Sequence, residues 1–278
     1  MIKPARAVGD SLRDWRQRRR MSQLDFALEA EISQRHLSFM ESGRSVPSRD
    51  MVLHLAERLE IPLRERNGLL LAAGYAPVFP ERSLDDPALE PARRAVDLVL
   101  KGHEPFPALA IDRHWTLVMA NGALAPLLTG IADISLLTPP VNVLRLSLHP
   151  KGLAPKIVNL AEWRAHLLDR LRHQIAITGD RVLIELMQEF NDYPAPAPPA
   201  SKQRAWERDY AGVVVALDLM TQNGPLSFLS TTTVFGTPVD ITLSELALEC
   251  FFPANDETAT ALQKLAEERA GTGDRSGS

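Results

Sequence analysis

The sequence predicts two folded parts. Residues 1–76 read as an all-α unit and residues 104–270 as an α+β unit with an antiparallel sheet, joined by a segment, 77–103, that carries a further helix. Three observations predict this division. Up to residue 73 apolar side chains recur at helical spacing behind Ser and Pro start signals. From about residue 104 short β-rich runs appear, separated by turn residues. Between the two regimes, Tyr75-Ala76-Pro77-Val78-Phe79-Pro80 cannot extend a helix. Residues 271–278 are expected to be a disordered Gly/Ser tail.

The stretch SQLDFALEAEISQRHLSFMESGRSVP, residues 22–47, predicts two short helices joined by a tight turn. Ser22 stands before Leu24, Ala27 and Leu28, with Phe26 flanking them. Ser33 stands before Leu37 and Met40. In each case the hydroxyl can accept an orphan backbone N–H at a helix start. Glu29-Ala30-Glu31-Ile32 has the length of a helix-turn-helix turn. On the second helix Gln34, Arg35 and Ser38 project away from the Leu37/Met40 face. Gln pairs well with adenine and Arg with guanine in the major groove. Gly43-Arg44 ends the helix and sets a cation where a phosphate would pass. Two more helices are expected over 48–59 and 62–73, opened by Ser48 and Pro62, with Gly74 as the stop.

Residues 12–66 resemble a lambda-repressor-like (Cro/C1, Xre-type) DNA-binding domain. The matching pieces are Leu12 to Arg19, Met21-Ser22-Gln23, Ile32-Ser33, Glu41-Ser42-Gly43-Arg44, Pro47-Ser48 and Met51 to Leu59. The resemblance implies that Gln34, Arg35 and Ser38 face bases, with Phe39 at another base-reaching position. It also implies that Gln23, Ser33 and Arg44 meet phosphate. Arg18, in the basic run Arg16, Arg18, Arg19, Arg20, lies close to the expected phosphate track. One departure is plain: Glu31 stands where the family usually has a turn glycine.

Charge supports this reading locally. Residues 1–49 hold ten Lys/Arg against six Asp/Glu, whereas the whole chain carries −4. A basic head on an acidic body is the asymmetry expected when one part meets phosphate. At 278 residues, with 45% hydrophobic and 24% charged residues, the chain has the composition of an ordinary two-domain protein. Its single cysteine, Cys250, excludes an intramolecular disulfide and fits a reducing cytoplasm. No apolar signal segment opens the chain and no run approaches a membrane helix.

Beyond the junction, residues 87–102 predict a helix with an apolar face of Leu89, Ala92, Val96, Val99 and Leu100, which could serve a dimer interface. Residues 107–111 and 115–120 predict strands around the turn Asp112-Arg113-His114, with a helix from Asn121 to Leu128 next. Residues 160–176 form an amphipathic helix whose face is Leu160, Trp163, Leu167, Leu171 and Ile175, and 180–190 a further helix. Asn191 to Ala200 is a proline-rich loop. Strands are expected over 211–219, 226–235 and 247–252, the first two joined through Asn223-Gly224, and a helix over 256–269. This pattern is compatible with a PAS-like fold, one sheet with helices over one face.

Residues 104–252 resemble the ligand-binding domain of MmyB-like (MltR-like) transcription regulators. The marks are Ala120-Asn121, the run Asn142 to Leu153, Val158 to Trp163 and the strand Phe228 to Phe235. The resemblance implies a PAS-like sensor holding a fatty-acid-like molecule, without a further cofactor. Such a ligand needs an apolar slot and one cation for its carboxylate. Leu117, Met119, Leu127, Trp163, Leu167, Val215, Phe228 and Leu229 are candidates for the slot, and Arg145 or His149 for the head group. Arg binds a carboxylate bidentately and is the better partner.

Chemistry is sparse elsewhere. Glu162, His166, Asp169 and His173 share a helix face at a spacing that could hold metal, but the face opposes the Leu160/Leu167/Leu171 stripe and reads as solvated, so no metal is expected. No phosphate-binding Gly-rich loop and no nucleophile elbow is visible. The expectation is therefore a cytoplasmic, non-enzymatic regulator that binds double-stranded DNA at a palindromic operator as a homodimer and senses a small molecule. The alternative is a helix-turn-helix regulator whose C-terminal domain binds a protein partner, as in an antitoxin or a cofactor-recruiting regulator.

Overall fold

The computed structural model describes residues 8–195, 215–236 and 240–273. The chain divides into two compact units. The first holds residues up to 83 with 176–178, 236 and 240–244, and the second holds the rest. The expected 274–278 end, the loop from 196 to 200 and the strand start at 211–214 lie outside the described residues.

The first unit is built from α1 (Val8–Arg18), α2 (Gln23–Glu29), α3 (Gln34–Glu41), α4 (Arg49–Arg58) and α5 (Leu63–Ala72). The start signals act locally as the sequence implies. The hydroxyls of Ser22, Ser33 and Ser48 accept the backbone N–H of Asp25, His36 and Met51. Asp25 also accepts the Ser22 N–H, completing a capping box. Leu12, Phe26, Leu37, Met40, Leu55 and Leu70 are fully buried in one core. Each such side chain stabilises the fold by roughly 1.5–3 kcal/mol relative to exposure. On α2 the inward residues are Phe26 and Ala27, whereas Leu24 and Leu28 are exposed. Both stripes have helical period. The packing of α3 against the Phe26 side decides between them, and a seven-residue helix holds too little periodicity to show it beforehand. At the crossing of α1 and α3, a Cβ on Gly9 would lie 2.3 Å from the Met40 carbonyl oxygen. Only glycine permits that approach.

The second unit carries α6 (Glu90–Gly102), β1 (Ala108–Ile111), β2 (Leu117–Ala120), α7 (Val143–Leu148), α8 (Leu160–Thr178) and α9 (Arg181–Asp192). It continues through β3 (Leu217–Thr221), β4 (Gly224–Val234) and β5 (Ala247–Pro253) to the C-terminal helix Asp256–Gly273. The five strands form one antiparallel sheet in the order β2-β1-β5-β4-β3. One face of the sheet packs on α7, α8 and α9 through Leu109, Leu144, Trp163, Leu167, Leu186 and Phe228. The other face packs on α6 through Val96, Leu100, Ala108, Ala110 and Leu248. Helices therefore cover both faces rather than one. On α6, Val99 is exposed, because the sheet meets only the Val96/Leu100 stripe. The expected helix 121–128 shrinks to a 3₁₀ turn, Ala125–Leu128. Among the described residues no helix is long and apolar enough to cross a membrane.

The β1–β2 connection departs most from the expected pattern. Trp115 belongs to the turn, at φ 65°, and not to the strand. Asp112 accepts the N–H groups of both His114 and Thr116, which tightens the turn. Pairing runs Leu109↔Ala120, Ala110↔Met119, then Ile111↔Leu117, so Val118 is an extra residue on β2. Such a bulge reverses the alternation of faces.

Candidate nucleic-acid interface and apolar cavity

The α2–α3 pair is held in place from α1. The Arg16 guanidinium donates to both oxygens of Glu41 at 2.7 and 2.9 Å and to the Met21 carbonyl at 2.8 Å. Gln23 donates its side-chain amide to Glu41 at 2.8 Å, and Arg13 donates to the Glu41 carbonyl. Burial by itself would push the Glu41 carboxyl up. The hydrogen bonds from Arg16 and Gln23 and the charges of Arg16 and Arg13 outweigh it and hold the carboxyl below its ordinary value. Glu41 was not singled out from sequence. The available signal was an acid on the inward face of α3 opposite an arginine on the inward face of α1.

On the outer side, α3 presents Gln34 and Arg35 to solvent, with Ser38 and Phe39 half-buried behind them. Phe39 sits between two cations: the Arg35 guanidinium carbon is 5.3 Å and that of Arg44 is 5.5 Å from its ring centroid. Ser33 caps α3, and Arg44 follows Gly43, whose φ of 72° ends the helix. These residues form one surface with the donors that bases and phosphates require. Gln23 is half-buried, with its amide already committed to Glu41.

The basic run divides differently from the expectation. Arg16 is buried in its ion pair, and Arg19 donates to the carbonyls of Leu59 and Glu60 beyond α4. Arg18 is exposed and stacks over Trp15 at 5.0 Å, in a groove it shares with Glu65 and Leu69 of α5. That groove lies on the α5 side of α1, whereas Arg13 and Arg16 reach α3. The spacing of four arginines around a helix end carries no information on which neighbour each one meets. Glu31 occupies the helix-turn-helix turn at φ 55°, the left-handed conformation that the missing glycine would adopt freely.

In the second unit an apolar cavity of about 100 Å³ lies between the sheet and the helices α7 and α8. Leu117, Leu127, Trp163, Leu167 and Phe228, five of the candidates for an apolar slot, line it. Met119 does not. The Val118 bulge turns it to the opposite face, among the residues that meet α6. Val215 and Leu229 are not in the lining either.

Neither expected head-group residue reaches the cavity. Arg145 forks onto Glu189 of α9 through two 2.7 Å hydrogen bonds. His149 accepts the Lys151 N–H and packs edge-on against Tyr193, 5.3 Å between centroids. Both point away because the six-residue α7 turns its Leu144 and Ser147 side to the cavity. The Glu189 hydrogen bond raises Arg145 above its ordinary value. Tyr193, half-buried and donating to Glu189, is also pushed up.

Among the described residues, the charged ones that line the cavity are Arg170 of α8 and Glu249 of β5. Arg170 donates to Glu249 at 2.6 Å and to Thr232 at 3.0 Å, and lies over the Trp115 ring at 4.7 Å. Sequence reasoning missed both. Arg170 sits one turn from His166, at the edge of the side of α8 read as solvated, where β4 and β5 approach it through Thr232 and Glu249. Glu162, Asp169 and His173 are exposed, and His166 is half-buried and packed on Trp163. Burial and the Arg170 charge lower the His166 value. Cys250 is buried on the α6 face, where burial and the neighbouring Glu249 push its thiol up, away from nucleophilic character.

Comparison with known proteins finds a family match in each part of the chain. Residues 12–66 match the helix-turn-helix family model, and residues 92–265 match the MmyB-like transcription regulator ligand binding domain. A protein of Methanoculleus marisnigri (strain ATCC 35101 / DSM 1498 / JR1), provisionally named an HTH-type transcriptional regulatory protein, is 36% identical over 122 residues, covering 42% of this chain and 38% of that relative. The second family match spans more than half of the chain, over the unit that holds the cavity. The chain thus belongs to the family of MmyB-like transcription regulators, with a helix-turn-helix domain ahead of a ligand-binding domain.

Proposed function

We propose that this protein binds a palindromic operator as a homodimer and changes its operator affinity when a small, mainly apolar molecule enters the cavity. Gln34 and Arg35 read base edges, with Ser38 and Phe39 beside them, while Ser33 and Arg44 hold phosphate. The observation that carries the reading is the cavity itself: an apolar chamber against an antiparallel sheet of strand order β2-β1-β5-β4-β3, an arrangement that supports a PAS-like sensor. A concave apolar chamber of this size suits a small molecule better than a protein partner, which would need a broad exposed apolar surface. Coupling requires the ligand to favour one arrangement of the dimer over another. The fatty-acid-like expectation keeps its apolar slot, but Arg145 and His149 are not its anchors.

Two measurements test the reading. Selection from a random duplex pool should enrich an inverted repeat with half-sites about one helical turn apart, ~34 Å. No enrichment would refute the operator-binding part. Mass spectrometry of an organic extract of the full chain should find a small apolar species that is lost in Leu167→Trp, whose indole fills the cavity. The same species extracted equally from both proteins would exclude the cavity as its site.

A further inference from the structure

The cavity wall carries two charges that neutralise each other. Glu249 is only 4% exposed, and its carboxylate receives Arg170 at 2.6 and 3.3 Å and the Thr232 hydroxyl at 2.9 Å. The guanidinium lies 4.7 Å from the Trp115 ring, and Trp115 is pinned by its indole N–H to Gln174 at 2.8 Å. Arg170 therefore has an aromatic floor and a carboxylate partner. It cannot turn to a new anion without leaving Glu249 buried and unpaired, a costly arrangement. A second carboxylate in the cavity would also face Glu249 in apolar surroundings that screen like charges poorly.

A neutral ligand meets no such opposition. Its chain contacts Leu117, Leu167 and Phe228, and its oxygen has a donor in Ser147. The Ser147 oxygen accepts the Trp163 indole N–H at 3.0 Å, which leaves its own hydroxyl hydrogen to donate. We infer that Glu249 sets the charge selectivity of this cavity, so that the Arg170–Glu249 pair selects an uncharged apolar alcohol, ketone or ester against the carboxylate of the same chain length. The inference rests on the proposal that the cavity is the ligand site.

Hexan-1-ol and hexanoate are matched probes for a cavity of about 100 Å³. Calorimetric titration of the full chain at pH 8, where hexanoate is ionised, should show hexan-1-ol binding at least about tenfold more tightly. Glu249→Gln should improve hexanoate binding at least about tenfold and change hexan-1-ol binding far less, because Arg170 is then free to receive an anion. Tighter binding of hexanoate by the unmodified chain would overturn the inference while leaving the cavity as a ligand site. So would an unchanged ratio of the two affinities in folded Glu249→Gln. Binding of neither probe to the unmodified chain would overturn both. The comparison on the unmodified chain decides the matter even if the variant fails to fold.

Discussion

Arg16 of α1 and Glu41 of α3 meet through two hydrogen bonds, 2.7 and 2.9 Å long, with both side chains shielded from water. The pair ties α3, which carries Gln34 and Arg35, to the helix behind it. Glu41→Gln keeps the shape but leaves Arg16 buried without a counter-charge. It should cost about 3 kcal/mol in urea-induced unfolding. Because the Glu41 carboxyl is held below its ordinary value, its contribution is present above the usual carboxylate range and is lost as pH falls through the depressed folded value. Stability of the original protein should therefore decline more steeply into acid than that of Glu41→Gln. Parallel acid limbs would contradict this.

Base reading and phosphate holding should separate. Arg35→Ala should cost roughly 1–3 kcal/mol on the selected operator and little on random duplex. Arg44→Ala should weaken both alike and reduce the salt slope by about one. Phe39→Ala, which removes the ring between the two cations, should show both effects in part. Equal losses on operator and random DNA for Arg35→Ala would refute the division.

Gly9→Ala sets a methyl group against the Met40 carbonyl, which is backbone and cannot step aside. Helices α1 and α3 must separate, at a cost of about 1–3 kcal/mol. A lowered melting temperature accompanied by weaker operator binding is expected, and an unchanged melting temperature would show that the crossing relaxes freely.

Glu31→Gly should act in the opposite direction. The residue sits at φ 55°, so relief of the left-handed backbone, about 1–2 kcal/mol, exceeds the entropic cost of glycine, about 0.5–1 kcal/mol. A small rise in melting temperature is expected. Removing one negative charge beside the reading helix should also strengthen binding to random DNA.

Arg145→Ala should leave the affinity for any cavity ligand unchanged, because its guanidinium is engaged by Glu189 outside the lining. The pair is partly exposed, so its loss should cost only about 0.5–1 kcal/mol in thermal unfolding. A strong loss of ligand affinity would return Arg145 to the head-group role.

The features legible along the chain are those that short-range physics governs. Ser22, Ser33 and Ser48 start helices through bonds to residues three positions away, and Leu37 and Met40 turn inward with Gln34 and Arg35 outward on the same short helix. The strands of the second unit, and five of the residues lining its cavity, were likewise visible in local pattern. Features that depend on distant neighbours were settled only by packing. Phe26 and not Leu24 faces the core because α3 lies there. One extra residue at Val118 sends Leu117 into the cavity and Met119 to the opposite face. Arg145 and Arg170 are equally cationic in sequence. Only the folding of β5 beside α8 brings Arg170 and Glu249, 79 positions apart, to the same wall, because side-chain pairing across a sheet is set by register and packing rather than by separation along the chain.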